Sequence, residues 1–150
     1  MTATHSFIRR LTASRDGNVA VEFALIAPVL ILLFTGLIDL GRAFYDGMAL
    51  ETAARSAVQY ARQNPGDTTG IRAAALTGSG VPMGATVDPP KQFCECPNGS
   101  SIGCGSQCAS GEPYLVFLSV TVRENFQSIL PYPGLPSPLP LTGSAVLRVQ

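Results

Sequence analysis

The sequence predicts an α+β fold: a long N-terminal helix, apolar enough to cross a membrane, that runs on into a small outer domain with an antiparallel sheet and a cysteine-bearing loop. Three observations carry this expectation. Residues 23–38 contain no charged side chain. Residues 114–122 and 141–149 are rich in β-branched and aromatic residues or alternate apolar with polar ones, the pattern of half-buried strands. Cys94, Cys96, Cys104 and Cys108, the only cysteines, fall together in a Gly/Ser/Pro-rich stretch over residues 91–112.

Composition agrees. Only 13% of the 150 residues are charged, against about a quarter in an ordinary soluble domain, while the hydrophobic share is 46%. A lipid-facing segment plus an uncharged remainder produces that combination. Ten basic and ten acidic residues cancel. No basic face or run marks a nucleic-acid partner.

The apolar run is the first element. From Asn18 it extends for about 20 residues, interrupted only by Glu22, which is the length a helix needs to span a hydrocarbon core. Arg9, Arg10 and Arg15 precede it against a single Asp16, with His5 nearby, and beyond Asn18 the balance is seven basic to nine acidic. The positive-inside rule therefore places residues 1–17 in the cytoplasm as a basic leader, residues 18–38 across the membrane and residues 39–150 outside. A cleaved secretory signal would share the Arg-rich start. Here, however, the run is longer than a usual signal core, no small-residue cleavage site with a turn follows, and helical patterning continues to Arg62. Leu and Ile at every helical angle disfavour the core helix of a soluble protein. A plain, unprocessed anchor stays open. Pro28 removes one backbone bond and should bend the helix.

Glu22 is the anomaly of this segment. A carboxylate in hydrocarbon is costly and marks function by default, although one at headgroup level is simply solvated. The local order is Gly17, Asn18, then Glu22 and Phe23. A cut after Gly17 would expose a positive amine on Asn18, one helical turn from Glu22. In a bundle of such helices the carboxylate of one subunit could neutralise the amine of its neighbour, making both acceptable in lipid. Gly17 itself presents unhindered backbone to a peptidase.

With these residues in view, the stretch from Gly17 to about Ala61 resembles the TadE-like proteins, pseudopilins of the tight-adherence (Flp-type) pilus machinery. Gly17 followed by Glu22 and Phe23 looks like the cleavage motif of Flp-type prepilins, and residues 21–30, Val-Glu-Phe-Ala-Leu-Ile-Ala-Pro-Val-Leu, look like the family's membrane signature. Gly41, Arg42, Ala53, Ala54 and Arg55 fit the same pattern, and the Pro-rich loop before the last strand is similar to the family's usual close. The cysteine insert has no match in the family. The resemblance implies a pilin-like fold, cleavage by a prepilin peptidase, partnership with membrane lipid, other pilin or pseudopilin subunits and the assembly machinery, a role in cell adhesion, and residence in a bacterial cytoplasmic membrane. It implies no cofactor.

Past the membrane the helix is expected to reach about Gln63, with Asp39 and Arg42, and Glu51 and Arg55, at surface-pair spacings. Ala43, Gly47, Leu50, Ala54, Ala57 and Ala61 make a narrow stripe of mostly small residues on which another backbone can close. The stripe suits the domain's own sheet, or a neighbouring subunit lower down. Asn64, Pro65, Gly66 and Asp67 end the helix, residues 71–76 form a short helix stopped near Gly78, and residues 85–87 form a short strand before Pro89 and Pro90. In an oxidising compartment the four cysteines read as two disulfides. A Cys94–Cys96 bridge would be strained, which leaves a crossed or a nested pairing to Cys104 and Cys108. A four-thiolate zinc site is the rival, with spacing unlike the common patterns. Residues 125–130 could extend or follow the strand at 114–122. Pro131, Pro133, Pro136, Pro138 and Pro140 make an irregular connection, and the strand at 141–149 then pairs antiparallel with the first, one sheet face covering the helix.

Nothing catalytic stands out. The single histidine, His5, lies in the leader, and no Gly-rich phosphate loop or metal-ligand helix occurs. Two readings follow: a structural assembly protein of the pilin type, or an uncleaved, membrane-anchored binding module whose contact surface is the disulfide-held loop.

Overall fold

The computed structural model describes residues 17–78 and 80–149, with the side chain of Asn18 left aside; the expected leader, save Gly17, lies outside the described residues. Helix α1 spans Gly17–Gln63 and is unbroken at Pro28. The chain divides into two compact units, Met1–Ile38 and Asp39–Gln150, and α1 contributes to both.

Within the first unit α1 is apolar at nearly every position, and no described side chain is buried. Val19, Phe23, Leu25, Leu33, Phe34 and Leu37 are all at least 60% exposed. Such a largely apolar surface, exposed among the described residues, is the signature of a helix suited to a non-aqueous surrounding rather than to a soluble core. The 22 residues to Ile38 rise about 33 Å, enough for a bilayer core. Thr35, within the apolar run, donates back to the carbonyl of Ile31 at 2.8 Å, so its hydroxyl asks nothing of the surroundings.

The second unit packs the remainder of α1 and a short helix, α2 (Thr68–Leu76), on a five-stranded sheet. The α2 start follows from Asp67, whose carboxylate accepts from the Gly70 amide at 2.9 Å and from the Tyr60 hydroxyl at 2.8 Å. That caps the helix and fastens the turn to α1. The strands are β1 (Thr86–Val87), β2 (Lys91–Glu95), β3 (Ser101–Ile102), β4 (Leu115–Phe126) and β5 (Leu139–Arg148). All pairings are antiparallel. β4 is central: β5 runs along one edge from Phe117↔Arg148 to Phe126↔Leu139, while β2 and then β1 share the other.

Alternation on β4 sorts its side chains. Leu118, Val120 and Val122 are buried against Leu50, Ala53, Ala54, Ala57, Val58 and Ala61 of α1, joined by Ile71 and Ala75 of α2 and by Val87. The helix thus meets the sheet largely through alanines, which bring the two backbones close and place the bulk of the core on the sheet side. Gly143 marks the tightest point. A side-chain methyl there would overlap the backbone of Leu50 and Glu51. Half-buried Leu141, Ala145 and Leu147 flank it, with Val146 turned outward, as the alternation over 141–149 leads one to expect.

Three expectations about element limits are corrected. Residues 91–95, expected to begin a loop, form strand β2, because Phe93 and Cys94 alternate faces against Phe117 and Val116 while the Gly/Ser-rich composition belongs only to residues 96–112. β4 does not stop at Val122 but runs to Phe126, supported throughout by β5. Pro140 lies inside β5, opposite Asn125, rather than in the irregular connection. It is tolerated there because β5 is an edge strand and needs no donor on its outer side.

Candidate functional site

The candidate surfaces fall in three places. The first is the start of α1. Gly17 and Glu22 are exposed, Phe23 is 65% exposed, and Glu22 is the only charged residue between Gly17 and Ile38. Asn18 and Glu22 are four residues apart in one helix. Glu22 has no ion-pair partner among the described residues. A lone carboxylate on an otherwise apolar helix is held there only if a counter-charge comes from outside the helix or the site sits at the headgroups.

The second is Asp39, the first charged residue after the apolar run. Sequence spacing assigns it to a surface pair with Arg42, and the pair exists at 3.4 Å. Yet Asp39 is only 4% exposed, and its main partners come from 90 residues away. The Ile129 amide donates to both carboxylate oxygens (3.0 and 2.9 Å), the Leu130 amide donates at 3.4 Å, and the Tyr132 hydroxyl at 2.9 Å. Burial alone would push this carboxyl up. The Ile129 amide, the Tyr132 hydroxyl, the Leu130 amide and the Arg42 charge outweigh it and hold Asp39 below its ordinary range. Tyr132 moves the other way, raised by its own burial and by its bond to Asp39. Arg42 also lies over the Phe126 ring, 5.2 Å from its centre. One carboxylate therefore pins the proline-rich connection to α1. Sequence reasoning missed this role; the one hint was a polar residue placed at the boundary with the apolar run.

Nearby, Glu124 carries an Oε2 that is buried without a hydrogen-bond partner among the described residues. Burial first, and then the neighbouring Asp46 charge, raise its pKa, with Arg42 opposing.

The third is the cysteine region. Cys94 is bonded to Cys104 and Cys96 to Cys108, the crossed alternative of the two that spacing left open. The reason is a hairpin. β2 turns into β3 through Asn98 and Gly99, with Gly99 at φ 83° and the Cys96 amide bonded to the Ser100 carbonyl at 2.9 Å. Cys94 then faces Ile102 across the ladder, two residues before Cys104. Asn-Gly was the readable signal for this hairpin. Cys94, Cys96 and Cys108 are buried, whereas Cys104 is exposed.

Of the small-residue stripe, Leu50, Ala54, Ala57 and Ala61 lie under the sheet. Ala43 and Gly47 do not: half-buried, they help line an open groove of about 350 Å³ bounded by Leu40, Phe44, Met48 and Leu141.

An N-terminal helix whose exposed first part is apolar but for Glu22 and a few other polar residues, and which continues into a small antiparallel-sheet domain, defines a pilin-like α+β protein, and the helix fits a single-pass membrane anchor. Residues 17–59 match the model of the TadE-like protein family, so the helix that carries Glu22 at one end and the sheet-packing alanines at the other is a TadE-like segment. No characterised protein and no solved structure matches the chain.

Proposed function

We propose that this protein is a pseudopilin or minor pilin of a tight-adherence (Flp-type) pilus, made as a precursor and cut after Gly17 by a prepilin peptidase. The observation that carries the reading is the TadE-like match itself, which begins at Gly17 and covers a helix whose only charge before Asp39 is Glu22. The family is one of structural pilus components. In this reading residues 1–17 stay in the cytoplasm, residues 18–38 span the cytoplasmic membrane, and the sheet domain lies outside, where an oxidising compartment keeps both disulfides.

The mechanism is assembly rather than catalysis. Cleavage leaves a charged amine on Asn18 at the end of the apolar helix. Buried alone in lipid, that amine and the Glu22 carboxylate are each unfavourable; paired between neighbouring subunits they offset one another and set the axial register of the helices. Around them the exposed Val, Leu, Ile and Phe side chains supply lipid-like packing between helices.

Glu22→Gln is the test. The variant should insert and be cut but assemble poorly; assembly at the wild-type level would sink the charge-pair mechanism. The competing reading, an uncleaved anchored module binding through the disulfide hairpin, is separated at Gly17. A bulky replacement such as Gly17→Leu should abolish function in a processed pilin and leave an uncleaved anchor untouched.

A further inference from the structure

Residues 125–147 contain no Asp, Glu, Lys, Arg or His, the longest uncharged stretch of the outer unit. Its middle is the connection 127–138 between β4 and β5, and it is exposed where it is most apolar: Ile129 is 56% exposed and Leu135 60%. A solvent-facing loop of that size ordinarily carries charge. This one is also not free to wander. Asp39 accepts from the Ile129 and Leu130 amides and from the Tyr132 hydroxyl. Asp39 follows Ile38 in the same unbroken helix, so it sits at the depth where the uncharged run ends. The next turns of α1 expose Leu40, Phe44 and Tyr45, the mixture of aliphatic and amphipathic aromatic side chains that suits a headgroup region.

From this we infer that loop 127–138 is a second membrane contact, lying in the boundary between headgroups and acyl chains with Ile129 and Leu135 inserted and Asp39 fixing its depth. The occupant of this surface is phospholipid. The inference rests on the anchoring reading of residues 18–38. Proline content fits the role. Pro131, Pro133, Pro136 and Pro138 lack amide donors, so the loop brings fewer unsatisfied N–H groups into a poorly hydrated layer, and the amides of Ile129 and Leu130 are taken up by Asp39. Its contact would fix how the outer domain stands on the bilayer before a subunit is drawn into an assembly.

The chain has no tryptophan, so a single one introduced at an exposed site reports its own surroundings. Full-length Leu135→Trp, Phe34→Trp and Met83→Trp would each be reconstituted in phosphatidylcholine vesicles, with and without bromine near the top of one acyl chain or at its middle. Met83 is fully exposed on another loop and serves as the water reference. Leu135→Trp should emit to the blue of Met83→Trp and lose most of its emission to the shallow bromines, and Phe34→Trp should be quenched by the deep ones. Quenching at Phe34→Trp with a Leu135→Trp spectrum like that of Met83→Trp would overturn the loop contact and leave the anchor standing. A Phe34→Trp emission untouched by bromine would overturn the anchor, and the loop contact with it. Ile129→Trp, run alongside, guards against a local effect at Leu135 and should behave in the same way.

Discussion

Gly143→Ala should destabilise the outer domain, although residue preference alone says the reverse. In a strand interior, glycine is less favourable than alanine by roughly 0.5–1 kcal/mol, so an unconstrained site would gain from the change. Gly143 is constrained. It pairs with Val122 on the central strand, and its α-carbon lies against the backbone of α1. The added methyl would overlap the carbonyl of Leu50 and the amide of Glu51, which are main-chain atoms that no rotamer change can move aside. Either β5 shifts away from the helix or α1 moves, and both open the layer where Leu50, Ala54 and Val120 are fully buried. Overpacking of this kind costs about 1–3 kcal/mol, and contact with backbone belongs at the upper end. Set against the propensity gain, a net loss of about 1–2 kcal/mol remains. For a unit of this size that lowers Tm by roughly 4–8 °C. Thermal unfolding of the full chain in detergent micelles, followed by far-ultraviolet circular dichroism, reads the shift. Ser144→Ala, at the adjacent exposed position, is the control and should stay within about 0.5 kcal/mol of wild type. A Gly143→Ala protein as stable as wild type, or more so, would refute the close approach of β5 to α1 and with it the reason given for an alanine-lined helix face.

Other consequences can be checked separately. Cys94→Ala should free Cys104, and maleimide labelling followed by peptide mass analysis should find the label there; a label on Cys108 would mean the nested pairing. Losing that bridge, which closes a loop over a sequence separation of 10, should lower stability by about 3 kcal/mol. Glu124→Gln should raise Tm at neutral pH. The folded state holds this carboxyl at a raised pKa, so ionisation costs stability as pH climbs through that value, and the benefit of the amide should vanish once pH falls below the ordinary carboxylate range. Asp39→Asn should show the opposite trend. The depressed Asp39 pKa supplies stability that is present at neutral pH and lost only as the medium is acidified through and below that range, so the variant should be weaker at pH 7 and approach wild type in strong acid.

Much of the architecture is written in local pattern. The uncharged run, the turn at Asn64 to Asp67, the alternation at 114–122 and 141–149, and the antiparallel pairing of the last two strands all follow from rules spanning a few residues. Leu50, Ala54, Ala57 and Ala61 could be placed on one helix face by spacing alone; that Ala53 and Val58 join them required knowing how wide a face the sheet covers. Strand β2 was hidden because it runs directly into the Gly/Ser-rich residues 96–112, although the Asn98-Gly99 turn announces a hairpin. Asp39 is the plainest case of information that no window contains. Its spacing to Arg42 is a genuine surface-pair signal, yet the groups that bury it, Ile129, Leu130 and Tyr132, lie at the other end of the chain. Gly143 is similar: as a strand glycine it reads as a weakness, and only the crossing of α1 explains it. The Gly17 and Glu22 spacing was legible for a different reason, since the chemistry proposed for it is carried entirely by short-range order along one helix.

The most direct test of the account is the intact mass of the membrane-extracted protein, expressed with and without an active prepilin peptidase. A chain beginning at Asn18 only when the peptidase is present is the predicted result, and it makes the amine that Glu22 is argued to meet. A chain still beginning near Met1, with the peptidase shown active on a control substrate, would contradict the account and leave an anchored domain whose exposed helix serves only to hold it in the bilayer.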